Sequence, residues 1–211
     1  MAPIGALLLS LAQLGCQPIP AEKGRITVAS AGKISSLDPA QASTVNTIQL
    51  LSALGDPLYS LDQRGELIPR LAAAPPIVSS DGLTVTIPLR GDVLFHDGTR
   101  FDADAMAFSL RRFLDIGTLS YVVGGRIAEI EAASTHELKL HLSRPSTSLK
   151  GLLTAVNLTP VSPKAYSGHQ ERFLHDRFVG TGPYRLTHFS DHQQRLEPFA
   201  DYWGDPPSNP G

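Results

Sequence analysis

Prolines and glycines punctuate the chain from end to end, and this limits what it can fold into. The 17 prolines and 18 glycines, spread through 211 residues without clustering, point to many short elements joined by turns and away from a helical bundle. A mixed α/β (α+β) fold is the natural reading. With 42 % hydrophobic residues the chain can bury a core, and its 18 % charged content falls below that of disordered chains. A formal charge of −2 and a pI near 6.4 argue against a phosphate-tracking surface, because nucleic-acid binders concentrate Lys and Arg on one face. Nucleic acid is not an expected partner.

The single cysteine, Cys16, excludes an intramolecular disulfide and a cysteine-based zinc cluster, so its position carries the information. It follows Ile4–Leu14, an apolar run too short to cross a bilayer of about 30 Å as a helix but suited to the core of a signal peptide. Gly15 directly before Cys16 resembles the lipobox of bacterial lipoproteins, whose cysteine becomes the lipid-modified first residue of the mature chain. Two features depart from that pattern: Gln13 stands where Leu is preferred, and no Lys or Arg precedes the apolar run. The expectation is a signal peptide and lipobox over 1–16, with lipid attachment at Cys16 and a polar tether over 17–24. A plain signal peptide and a buried core cysteine are the competing readings. No second apolar segment is long enough for a membrane span.

Periodicity then assigns elements. Arg25–Ser30 alternates Ile26 and Val28 with polar neighbours and reads as a strand; Thr44–Leu54 places Val45, Ile48, Leu51 and Leu54 at helical spacing before Gly55. Asp81-Gly82 signals a turn before Leu83, Val85, Ile87 and Leu89, which alternate with Thr84, Thr86 and Pro88. Because Pro88 cannot donate to a ladder, that strand is expected to expose an edge or a bulge there. Asp102 is a helix N-cap, Phe101 and Met106 are placed as a hydrophobic staple, and Met106, Leu110, Phe113 and Leu114 form one apolar face. Two more hairpins are expected, Ile127–Ala132 with Leu138–Leu142, and Tyr184–Phe189 with Gln194–Phe199.

The candidates for chemistry are weak. His136-Glu137 with His141 looks like a zinc-protease motif, but its histidines stand five apart in an alternating strand instead of four apart on a helix. His188 and His192 are four apart across a turn signal, Ser190-Asp191. Gly180-Thr181-Gly182 lacks a third glycine and leads into Pro183 and a strand, not a phosphate-binding helix. No Gly-x-Ser-x-Gly elbow presents a nucleophile. His96-Asp97-Gly98 is more simply a turn than a ligand site. Catalytic residues, metal ligands and cofactors are therefore not expected. A secreted hydrolase and an extracytoplasmic interaction module remain the alternatives to a binding protein.

An ordered series of blocks carries a resemblance. Ser36-Leu37-Asp38-Pro39 is followed by Asp56-Pro57-Leu58-Tyr59, Pro69-Arg70-Leu71-Ala72, Asp81-Gly82-Leu83-Thr84 and Leu89-Arg90. Then come Val93-Leu94-Phe95-His96-Asp97-Gly98-Thr99, Phe101-Asp102-Ala103-Asp104, Gly180-Thr181-Gly182-Pro183-Tyr184 and Asp201-Tyr202-Trp203-Gly204. In this order they resemble the extracellular solute-binding proteins of family 5, the dipeptide, oligopeptide and nickel group that serves ABC importers. The resemblance implies a periplasmic-binding-protein-like class II bilobal fold without catalysis, whose partners are a small peptide or similar solute, the importer's permease subunits and, through a lipid anchor, the membrane. Family chains are usually much longer, so the expectation is lobe one only, with lobe two absent: 25–55 and 160–211 as an incomplete ligand-side subdomain and 56–159 as an inserted antiparallel β subdomain. Ligands of open α/β sheets lie beyond the carboxyl ends of strands, and Ser43, Thr44 and Val45 link the first strand to the first helix. These residues are the expected ligand contacts, against a plain capped helix start. Tyr121, beside Gly124-Gly125, is a second candidate that either lines the cleft or fills a core.

Overall fold

The computed structural model describes residues 27–29, 32–34, 36–123, 125–146, 148–168, 174 and 176–205, with 149 and 150 described by their backbone alone. Cys16, the segments 1–16 and 17–24, Gly124 and 206–211 lie outside the described residues. From residue 32 onward, chain order is a 3-10 turn (Pro39–Gln41), α1 (Val45–Leu54), β1 (Tyr59–Leu61), β2 (Leu67–Pro69), β3 (Ile77–Val78), β4 (Thr84–Pro88), α2 (Ala103–Ile116) and α3 (Ser120–Val123). There follow β5 (Ile127–Ser134), β6 (Glu137–Leu142), α4 (Leu149–Leu153), a second 3-10 turn (Val156–Leu158), α5 (Pro163–Tyr166), β7 (Tyr184–Phe189) and β8 (Gln194–Pro198).

The central sheet is antiparallel in the order β3-β4-β6-β5. Its register pairs Val85 with Leu140 and Ile87 with Leu138, so the apolar alternation of β4 and β6 falls on one buried face. The turn before β4 forms because Gly82 adopts φ +71° while Asp81 accepts from the Ser79 hydroxyl (2.6 Å) and the Leu83 amide (2.9 Å). Pro88 exposes neither an edge nor a bulge. It is the last residue of β4, opposite Glu137 in an unbroken register, and its carbonyl accepts from the Ala73 amide at 2.8 Å. Opposite Ala73 the missing N–H leaves that pair with one hydrogen bond where an antiparallel pair exchanges two.

The buried face is covered by α2. The Asp102 carboxylate accepts from the Ala105 amide at 2.8 Å, and Phe101 and Met106 are both buried as the staple requires. Met106, Leu110 and Phe113 enter a core shared with the sheet, Phe95, Phe101, Tyr59 and Leu71. A second buried cluster joins Leu37, Leu51 and Leu54 to Val161, Tyr166 and Phe178, with Tyr184, Leu186, Phe189 and Leu196 of the β7–β8 hairpin packed against it. Each such side chain contributes roughly 1.5–3 kcal/mol when fully buried.

Two expected features differ. Of the expected strand Arg25–Ser30 only 27–29 are described, and these are in no strand; the rest lies outside the described residues. In α1, Thr47 is buried with Leu51 and Leu54, whereas Val45 is 69 % and Ile48 36 % exposed. The helix thus turns a mixed polar and apolar stripe outward, which the spacing of its apolar residues alone did not show.

Candidate functional site

The first helix begins where the sequence placed it. Thr44 is the N-cap of α1 in extended conformation; its hydroxyl oxygen accepts from the Thr47 amide at 3.3 Å and lies 3.0 Å from the Thr47 hydroxyl. Val45 and Asn46, earlier in that turn, have amides with no intrahelical acceptor by construction. Ser43, Thr44 and Val45 are all exposed. Tyr121, on α3, is 75 % exposed, so it does not fill a core. One backbone hydrogen bond, from the Thr118 amide to the Ala40 carbonyl at 2.9 Å, ties the segment before Tyr121 to the turn that leads into Ser43–Val45. Asn157, which no local pattern singled out, fixes the same turn by donating to the Pro39 and Ala42 carbonyls at 3.1 and 2.7 Å.

Beneath this segment lies a buried ion pair. Asp38, from the first recognised block, meets Arg112 of α2 through two hydrogen bonds of 2.8 and 2.5 Å. The same carboxylate accepts from the Ala40 amide (3.0 Å) and the Leu174 amide (2.9 Å), and the Arg112 guanidinium stands 5.1 Å from the Tyr166 ring centre. Burial pushes the Tyr166 phenol well above its ordinary range, with the Asp38 charge adding to it. Groups so arranged hold the 36–42 segment rigid under its exposed continuation.

A second buried carboxylate gathers blocks that are remote in sequence. Asp56 accepts from Arg70 (2.8 Å), from the Trp203 indole (3.0 Å) and from the Tyr202 hydroxyl (3.3 Å), while its amide donates to the Thr181 hydroxyl at 3.3 Å. Arg70 and Arg90 flank the Trp203 ring at 5.1 and 4.5 Å from its centre. Burial alone would lower the Arg70 pKa, but the hydrogen bond and charge of Asp56 hold it above its usual value; burial, then the Asp56 charge, pushes the Tyr202 phenol up to about 12.

The glycine block is a structural crossing. The Gly182 amide donates to the Leu54 carbonyl at 3.0 Å, and a Cβ on Gly182 would stand 2.4 Å from that carbonyl carbon. The backbone that would cradle a phosphate is therefore filled by the end of α1. Gly98, at φ +79°, closes the His96-Asp97-Gly98 turn, in which Asp97 accepts from the Thr99 hydroxyl and from Ser162, both at 2.6 Å. His141 pairs with Glu131 across β5 and β6 at 3.0 Å, and among the described residues no cluster of metal-binding side chains forms. A shallow depression of about 380 Å³ lies between α2 and β5, lined in part by Arg111 and Glu129 and by none of the residues expected to touch a ligand.

The family described as "Bacterial extracellular solute-binding proteins, family 5 Middle" matches residues 66–210. The glutathione-binding protein GsiB of Escherichia coli O1:K1 / APEC is 31 % identical over 182 residues, which cover 84 % of this chain and 35 % of GsiB. A dipeptide-binding protein of Pseudoalteromonas sp. SM9913, solved with Met-Leu, superposes with a TM-score of 0.75 at 27 % identity, covering 83 % of this chain and 39 % of that one. An ABC transporter substrate-binding protein of Sinorhizobium meliloti gives 0.72 at 27 % identity, covering 83 % and 36 %. The chain spans about a third of the length of the curated relatives it matches and shares the fold of the corresponding part of the solved binding proteins. The chain belongs to the bacterial extracellular solute-binding proteins of family 5.

Proposed function

We propose that this chain is part of the substrate-binding component of an ABC-type importer, capturing a small peptide or similar solute outside the cytoplasmic membrane and delivering it to permease subunits. The family match over 66–210 carries this reading. It is supported by relatives that bind glutathione or a Met-Leu dipeptide and by one described as an ABC transporter substrate-binding protein. Glutathione and Met-Leu share amide groups and charged ends, which backbone donors at the start of α1, such as the Val45 and Asn46 amides, can read without regard to side chains. On this reading Ser43, Thr44, Val45 and Tyr121 contact the solute, and the segments 25–55 with 160–211 form the ligand-side subdomain into which 56–159 is inserted. With the exception of Ala40, the buried members of the two clusters fall on either side of residues 55 and 160, which supports that division. Cys16 is the lipid-attachment residue of an extracytoplasmic protein; a fatty-acid probe should label the wild type and not Cys16→Ala.

Deleting the gene should abolish uptake of labelled dipeptides or glutathione, and complementation should restore it without any hydrolysis product formed by the purified protein. Unchanged uptake of dipeptides, glutathione and nickel complexes in the deletion strain refutes the importer assignment.

A further inference from the structure

His96 sits at a junction unrelated to the exposed start of α1. Its amide donates to the Gly180 carbonyl at 2.9 Å, and its Nε2 lies 3.0 Å from the Gly182 carbonyl, an acceptor only, so Nε2 carries the proton. The neutral ring therefore has a bare Nδ1. That atom is buried and has no hydrogen-bond partner among the described residues, while the ring packs edge-on against Phe199 at 5.0 Å. The charged groups that face the ring from its neighbours are Arg185 of β7, Asp56 of the α1–β1 link and Asp97 of its own turn. Neither carboxylate reaches Nδ1: Asp56 is engaged by Arg70, Tyr202 and Trp203, and Asp97 by Thr99 and Ser162. Arg185 opposes a positive charge on the ring.

We propose that His96 is an acid-sensitive latch: neutral, its Nε2–H fastens the 180–183 crossing to the 95–99 turn, and protonation of the acceptorless Nδ1 releases that crossing. The crossing in turn holds the end of α1, through Gly182 to Leu54, and the Asp56 amide, through Thr181. Burial, helped by Arg185, holds His96 below the ordinary 6.5 against the opposing pull of the Gly182 carbonyl and the two carboxylates. As pH falls through that value the open form takes the proton first, so the latch is complete above it and weakens below it, until the closed form also titrates.

Hydrogen exchange of the Gly182 amide in the full chain, corrected for intrinsic rates, tests this between about pH 7.5 and about pH 5. Protection in the wild type should fall by about threefold or more at the lower pH, whereas His96→Gln, whose side-chain N–H replaces Nε2–H without titrating, should show no such loss. Equal protection at both pH values in the wild type, or the same loss in the glutamine variant, overturns the proposal. Should that variant not fold, nitrogen NMR of the wild-type ring decides: a protonated Nε2 with a midpoint below that of free histidine supports the latch, and the Nδ1–H tautomer or a midpoint at or above it refutes it.

Discussion

Replacing Asp38 by asparagine removes one charge and leaves the shape unchanged. The carboxylate is fully buried and Arg112 is 4 % exposed, so water cannot take over the guanidinium's lost partner. The substituted side chain keeps one oxygen for the Ala40 amide, so the contribution of that cap, about 1 kcal/mol, survives. The other position becomes an NH₂ group set against two donors, Arg112 and the Leu174 amide. Removing one member of a buried pair costs about 3–5 kcal/mol, which for a chain of this size lowers Tm by about 6–20 °C. Arg112→Met should cost a similar amount alone, and the double variant less than the sum by about 2 kcal/mol or more, because neither charge is then left unpaired. Urea denaturation followed by Trp203 fluorescence, with circular dichroism as the second probe, measures all four corners of the cycle. An Asp38→Asn protein within about 1 kcal/mol of the parent, or strictly additive losses, refutes the reasoning.

Gly182→Ala should cost more than about 2 kcal/mol in the same assay, since its Cβ would lie 2.4 Å from backbone, whereas Gly65→Ala, with open space but φ +77°, should cost about 1–2 kcal/mol. Trp203→Phe should lose about 1–3 kcal/mol through the hydrogen bond to Asp56 and the two guanidinium contacts. Tyr121→Ala should leave stability within about 0.5 kcal/mol, because the side chain is exposed, yet weaken solute binding by the full-length protein about fivefold or more in calorimetry.

What the sequence revealed was what short-range chemistry decides. The Asp102 cap, the Phe101–Met106 staple and the hairpins at 127–142 and 184–198 are each built from residues within a few positions of one another, and all are present. A cap at Ser43 or Thr44 was legible for the same reason, and the structure uses Thr44. The partners of the carboxylates that hold the scaffold were not recognisable, because Asp38 finds Arg112 across 74 positions and Asp56 finds Trp203 across 147. Nor could spacing alone reveal that Val45 and Ile48 face outward, since that depends on which side of α1 the β7–β8 hairpin covers. The candidate site was legible as a capped helix start and no further.

The separation between Asp56 and Trp203 also sets a clock. A ribosome adding about 5–20 residues each second needs roughly 7–30 s to travel those 147 positions, and for that interval the carboxylate has Arg70 within reach but neither of its aromatic donors. The nascent chain therefore stays short of its final closure until the Tyr202-Trp203 segment has emerged.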